Sequence, residues 1–96
     1  MHKLFHQGVL IGNIPRCSAN GFSMHGSIQL TEGAAAVKEF LDYWSDPDVP
    51  KNEEPPYPAH FLENWFIEDD QGFQSEIGPP TVFIHEGNQE IFWRTF

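Results

Sequence analysis

The chain has 96 residues, of which 40% are hydrophobic and 20% are charged, and this length fits a single domain over residues 1–96. Nine Phe and three Trp contribute to an aromatic content of 15%, which excludes a disordered chain because each large ring can bury about 150–250 Å². The formal net charge of −9 argues against direct binding to nucleic acid and to membrane surfaces, which are themselves negatively charged.

The first third of the chain is predicted to form β-strands. Residues 4–7 and 9–14 are expected to pair as a hairpin around Gly8, a residue that tolerates the backbone of a tight turn. Residues 22–30 alternate apolar and polar side chains, and this period of two indicates a third strand. Gly26 lies inside that strand, so a local distortion of the strand is expected there.

The main α-helix is predicted at about residues 32–45. Thr31 is the expected N-cap, and Glu32 places a negative charge in the first turn, where the helix dipole favours it. Apolar side chains at helical spacing form one stripe, which consists of Val37, Phe40, Leu41 and Trp44. The helix is expected to end before Pro47, because the residue that precedes a proline avoids the helical conformation.

Two hairpins are predicted in the C-terminal part of the chain. Strands at 65–68 and 73–77 flank a polar turn, and strands at 81–86 and 89–96 flank a turn at Gly87–Asn88. The fold class is therefore α+β, with an antiparallel β-sheet of about six to seven strands in meander or hairpin connections and one helix packed on one face. The last two strands carry apolar side chains on both faces, so a second layer, a curled sheet or a partner is expected to cover one of them.

Residues 46–58 are predicted to form a proline-rich acidic surface loop, because they contain five prolines and little that could be buried. The acids of the chain are unevenly distributed: residues 1–31 contain none, and residues 32–96 contain all 14. Aromatic side chains lie among these acids, and protein interfaces combine aromatic anchors with charges that steer the encounter. The predicted partner-binding residues are Glu53, Glu54, Tyr57, Trp65, Glu68, Asp69 and Asp70. The competing interpretation is a solvated acidic surface that only confers solubility.

No catalytic site, metal site or cofactor is predicted. The sequence contains no HExxH, CxxC, GxSxG or phosphate-binding glycine motif, and its five His residues lack the close spacing of a zinc site. Cys17 is the only cysteine, which excludes an intrachain disulfide and fits a reducing compartment. With no apolar run long enough for a signal peptide or a membrane span, a cytoplasmic location is expected.

Three functions are compatible with these features. The leading hypothesis is a small acidic non-catalytic protein that inhibits or neutralises a basic partner, such as a nuclease or another nucleic-acid-binding protein. Immunity proteins and phage-encoded inhibitors of bacterial nuclease defences are of this type. The alternative is a homodimeric interaction or assembly domain that pairs through its C-terminal strands. The third is a small enzyme or ligand-binding domain with an aromatic pocket near Trp65 and His60.

Overall fold

The computed structural model describes residues 1–46, 48 and 56–94. Within these ranges the chain forms nine β-strands in two antiparallel sheets and one α-helix, which confirms the α+β class with slightly more strands than the predicted six to seven. Most of the predicted loop at 46–58 lies outside the described residues. No helix in the described ranges is long and apolar enough to cross a membrane.

The strands are numbered in chain order. Their bounds are β1 (His2–His6), β2 (Val9–Ile14), β3 (Cys17–Asn20), β4 (Ser23–Ser27), β5 (Gln29–Leu30), β6 (Trp65–Glu68), β7 (Gln74–Ile77), β8 (Thr81–His85) and β9 (Asn88–Arg94). The first sheet has the order β5-β2-β1-β6-β7, and the second has the order β3-β4-β9-β8. Every neighbouring pair of strands is antiparallel.

The predicted hairpins are all present, and two of their turns are shifted by one residue. β1 ends at His6 rather than at Gln7, so the first turn is Gln7–Gly8. β8 and β9 pair from Thr81–Phe92 to His85–Asn88, so the two-residue turn is Glu86–Gly87 rather than Gly87–Asn88. Both turn residues have positive φ, 52° and 80°, as the turn type that matches the strand twist requires. Since Gly tolerates that conformation at the second position, the turn places Gly87 there and leaves Asn88 in the strand.

The predicted strand at 22–30 divides at Ile28. β4 ends at Ser27 in the second sheet and β5 begins at Gln29 in the first. Between them the Ile28 side chain is buried, with 3% of its surface exposed, and its N–H donates to the carbonyl oxygen of Gln89 at 3.1 Å. A distortion was expected at Gly26, and the chain instead passes from one sheet to the other two residues later, at Ile28. One continuous segment therefore joins the two sheets.

The predicted helix is also present, but it consists of two parts. Glu32–Ala36 form a 3-10 helix, and α1 covers Lys38–Ser45. Thr31 is the N-cap, as predicted: its hydroxyl oxygen accepts from the Gly33 N–H at 3.2 Å. The same hydroxyl donates to the Leu10 carbonyl at 2.6 Å, so the 3-10 helix is attached to β2. α1 ends at Ser45, before Pro47.

Both sheets and α1 contribute side chains to one hydrophobic core. The buried members are Leu4, Ile11, Ile14, Ile28, Ala34, Val37, Phe40, Leu41, Trp65, Ile67, Ile77, Val82, Ile91 and Trp93. α1 contacts β8. Of the predicted stripe, Val37, Phe40 and Leu41 are buried, and Trp44 is half-buried against them. The Ser45 hydroxyl accepts from the Val82 N–H at 2.9 Å, so the end of α1 satisfies one donor on the edge of the second sheet.

Candidate partner-binding surface

The most acidic described feature is the hairpin at residues 65–77, formed by β6, the turn and β7, which we call the acidic hairpin. It carries Glu68, Asp69, Asp70 and Glu76 and contains no Lys or Arg. Its inner face is set by alternation along β6, which buries Trp65 and Ile67 and leaves Phe66 and Glu68 on the outer side. In the register of the hairpin, Glu76 lies opposite Phe66, so charge and an aromatic ring share the outer face.

The turn of the acidic hairpin is held by Asp69. The Asp69 carboxylate accepts from the backbone N–H of Gln71 at 2.9 Å and of Phe73 at 3.0 Å, and the Asp69 N–H donates to the Phe73 carbonyl at 2.9 Å. A side chain that bonds its own turn in this way has a structural role. The turn also presents the Phe73 ring to solvent, with 69% of the residue exposed.

The other carboxylates of the acidic hairpin have few cationic neighbours. The Met1 ammonium group donates to the exposed Asp70 carboxylate, and this hydrogen bond holds the pKa of Asp70 below its ordinary value. Lys3 lies directly opposite Glu68 on the neighbouring strand β1. Glu76 is exposed on the outermost strand of the sheet. Asp70 therefore stays ionised at neutral pH, and Glu76 forms no ion pair within the described residues.

The structure separates the predicted partner-binding residues into groups. Glu53 and Glu54 lie outside the described residues. Trp65 is fully buried, with 0% of its surface exposed, and its indole N–H donates to the Phe61 carbonyl at 2.8 Å. This position corrects its assignment as an interface anchor, because a partner cannot touch the ring. Tyr57 is half-buried, and its ring packs 5.3 Å from the Phe40 ring.

Two aromatic residues of the acidic hairpin were not predicted as contact residues. Phe66 is half-buried on the outer face, and Phe73 is exposed at the turn. Neighbouring residues on a strand point to opposite sides, so one of Trp65 and Phe66 had to face outwards. The sequence predicts that alternation but not which of the two rings faces the core, because both residues are aromatic and either one fits there.

An alternative ligand site near Trp65 and His60 corresponds to a small apolar cavity. It has a volume of about 220 Å³, and its lining includes His6, His60 and Phe61. His6 is 4% exposed, its ring lies 4.2 Å from the Trp65 ring, and its Nε2 lies 2.8 Å from the His60 carbonyl oxygen. Since a carbonyl only accepts, Nε2 carries the proton, and this nitrogen is committed to the backbone rather than to a ligand.

Burial of His6 predicts a pH-dependent stability. Desolvation lowers the pKa of His6 below its ordinary value of 6.5, against the raising effect of hydrogen bonds to the backbone of His60 and Glu63. At acidic pH the unfolded chain binds a proton that the folded chain excludes. The contribution of His6 to the free energy of unfolding should be complete above about pH 7.5. It should fall as the pH decreases through the pKa of histidine in the unfolded chain, near 6.5.

Urea unfolding from pH 7.5 to 5.5 measures this loss, and the imidazole NMR signals of His6 report its titration directly. His25→Gln removes an exposed histidine instead. This control variant should retain the pH dependence, because the dependence is assigned to His6. A His6 that titrates above pH 6.5, or a free energy of unfolding that stays constant over this range, would contradict the prediction.

Cys17 does not have the surroundings of a nucleophile. Its sulfur lies 3.6 Å from Nδ1 of His2, but burial raises the pKa of the thiol, and the Asp70 charge adds to this effect. The protonated thiol is therefore the favoured form. In the ranges that the structure describes, no group of three or more His, Cys, Asp or Glu side chains is placed to hold a metal ion.

Comparison with known proteins adds no relative to this description. No protein-family model, no curated protein and no solved structure matches the chain.

Proposed function

We propose that this chain is a small acidic non-catalytic binding protein that inhibits or neutralises a basic protein partner in the cytoplasm, and that the acidic hairpin is part of its contact surface. The proposal depends on one combination of features. Glu68 and Glu76 lie with the half-buried Phe66 ring on the outer face of the hairpin, and its turn exposes Asp70 and the Phe73 ring to solvent. Such a surface offers apolar anchors within a negative field, which is the pattern of an electrostatically steered interface.

The negative field around the hairpin has little compensation from Lys and Arg. Residues 52–93 contain neither. On α1, Lys38 pairs with Asp42 at 3.0 Å, so one of the few Lys side chains already has an acidic neighbour. A field that is mostly of one sign raises the association rate with a partner of the opposite sign and repels partners of the same sign.

The class of partner follows from this charge. Nucleases and other nucleic-acid-binding proteins carry Lys and Arg where they hold phosphate groups. Carboxylates presented along a hairpin supply the same sign of charge as phosphates and would occupy such a basic groove. The protein would then act as a nucleic-acid mimic, in the manner of immunity proteins and phage-encoded inhibitors, without binding nucleic acid or a membrane itself.

Charge reversal on the acidic hairpin tests the proposal. We expect the triple variant Glu68→Lys, Asp70→Lys, Glu76→Lys to lose one basic protein that the unaltered chain retains from lysate of the source cells or their host. With that protein purified, the association rate constant should fall by about tenfold or more, and its dependence on salt should flatten. Asp69 is left unchanged because its carboxylate holds the turn.

The control carries the same change in charge at exposed residues on other elements: Glu32→Lys, Glu39→Lys, Glu86→Lys. The control variant should still bind the partner, with an association rate constant close to that of the unaltered chain. Equal losses in the two variants would mean that net charge alone matters, and an unchanged rate in the hairpin variant would exclude this surface as the contact. Circular dichroism of both variants checks that they fold.

A further inference from the structure

The second sheet has an outer face that is separate from the acidic hairpin. In β8 and β9, the side chains of Val82, Ile91 and Trp93 are buried in the core. By alternation, Phe83 and Phe92 lie on the opposite side of the same strands. We call this side the β8–β9 outer face. Neither ring belongs to the hydrophobic core or to the residues packed against it. Phe83 is 38% exposed, and Phe92 is half-buried.

The register defines the neighbours of Phe92 on this face. His25 of β4 lies opposite Phe92 on one side, and Thr81 of β8 lies opposite it on the other. Phe83 lies opposite Glu90. Phe92 is thus the central aromatic residue of a four-stranded face, with a second aromatic ring two residue pairs away on the same side. Among the described residues, no other aromatic ring contacts either one.

Two opposite charges flank Phe92 symmetrically along β9. Glu90 precedes it by two residues and Arg94 follows it by two, so both point to the same side as Phe92 and lie about 13 Å apart at a rise of ~3.3 Å per residue. Neither side chain forms an ion pair with another residue in the described part of the chain. An acid and a base at equal distances on either side of an aromatic centre form a surface that is complementary to itself.

We propose that a second copy of this chain binds the β8–β9 outer face, with a two-fold axis that passes between the Phe92 rings of the two copies. The two-fold axis reverses the direction of β9, so that Arg94 of each copy meets Glu90 of the other. Packed sheets lie about 10 Å apart with their strands within about 30° of each other. Arg94 and Glu90 each lie ~7 Å along β9 from the axis. At a strand angle of about 30°, each is displaced sideways from its partner by only ~3.5 Å, which the long Arg and Glu side chains can span.

Charge selects a second copy over a basic partner on this face. Two chains of net charge −9 repel each other wherever carboxylates dominate, so self-association favours a surface on which charges cancel. Glu90 and Arg94 cancel there, and a basic partner would gain little from such a face. The acidic hairpin belongs to the other sheet, so this dimer does not depend on the proposed function. The face is small, and we expect a dissociation constant on the order of 10–100 μM.

Sedimentation velocity of the full chain from about 5 to 500 μM tests the dimer through charge swaps. Arg94→Glu places two acids opposite each other, and Glu90→Arg places two bases opposite each other, so each should weaken the dimer at least about tenfold. The double variant Glu90→Arg, Arg94→Glu restores both pairs and should recover the affinity to within about threefold. An equimolar mixture of the two single variants should form a heterodimer, because the two acids of the Arg94→Glu variant then face the two bases of the Glu90→Arg variant.

The Glu90→Arg variant distinguishes this geometry from a general charge effect. It makes the chain less negative, so reduced repulsion alone would strengthen self-association, whereas the proposed pairing predicts a weaker dimer. Glu32→Arg makes the same charge change on the 3-10 helix and should not weaken the dimer. A chain that stays monomeric at every concentration, a tighter dimer of Glu90→Arg, or a double variant without recovery would each overturn the proposal.

Discussion

Replacing Gly26 by alanine is expected to lower the free energy of unfolding by about 3 kcal/mol or more. A Cβ atom at this position would overlap the carbonyl oxygen of Arg16 and would lie 2.8 Å from the Cα of Cys17 and 2.9 Å from the Arg16 carbonyl carbon. These are backbone atoms of the segment that pairs with β4, and the Arg16 carbonyl accepts from the Ser27 N–H at 3.1 Å. They cannot move aside as a flexible side chain would, so the two strands must separate.

Gly78→Ala is the matched control for this substitution. No atom lies within 4 Å of the Cβ position at Gly78, and its φ is not among the positive values, so alanine should be neutral or stabilise by about 0.4–1 kcal/mol. Urea unfolding of both variants at pH 7.5 gives the comparison. If Gly26→Ala loses no more stability than Gly78→Ala, the close approach of β3 and β4 is not as described.

Phe40→Ala is expected to cost about 3–5 kcal/mol of unfolding free energy. Phe40 is 1% exposed and lies on α1 at the centre of the aromatic cluster. The ring centroids of its neighbours are 5.8, 5.3, 5.5 and 6.3 Å away, in Trp44, Tyr57, Phe61 and Trp65 respectively. Truncation would remove all four contacts and leave a cavity between α1, β6 and the residues around Phe61, which these large rings cannot collapse to fill.

Phe73→Ala makes the same chemical change at a position that is 69% exposed. It should alter the unfolding free energy by no more than about 0.5 kcal/mol, while weakening binding to the basic partner if the acidic hairpin is the contact surface. Thermal and urea unfolding of the two variants measure the contrast. A Phe40→Ala variant as stable as Phe73→Ala would show that the aromatic cluster does not support the core.

The candidate surface was only partly predictable from the sequence. The concentration of acids is a property of composition, so Glu68, Asp69 and Asp70 were identified correctly as neighbours on a tight turn. The outward-facing aromatic residue of β6 was not identified, because Trp65 and Phe66 are equivalent in a pattern of hydrophobicity. Only the packing of Trp65 against His6 and Phe40 shows which of the two rings faces the core.

Local physics determined the elements that the sequence predicted. The cap at Thr31, the end of α1 before Pro47 and the hairpins around Gly8 and Gly87 depend on residues within a few positions of one another, so short patterns were sufficient to locate them. The last turn is shifted by one residue because Glu86, rather than Asn88, takes a positive φ beside Gly87, whereas local preference alone favours Asn for that conformation.

Tertiary contacts determined what the local pattern could not. The transfer of the chain between sheets at Ile28 depends on the distant carbonyl of Gln89, and the 3-10 geometry after Thr31 depends on bonds to β2. Which side of β6 and β9 faces the core is likewise decided by partners more than twenty residues away. Short-range propensity specifies where strands and turns occur. The division into two sheets, and which side chains lie on the outer faces of those sheets, follow from long-range packing.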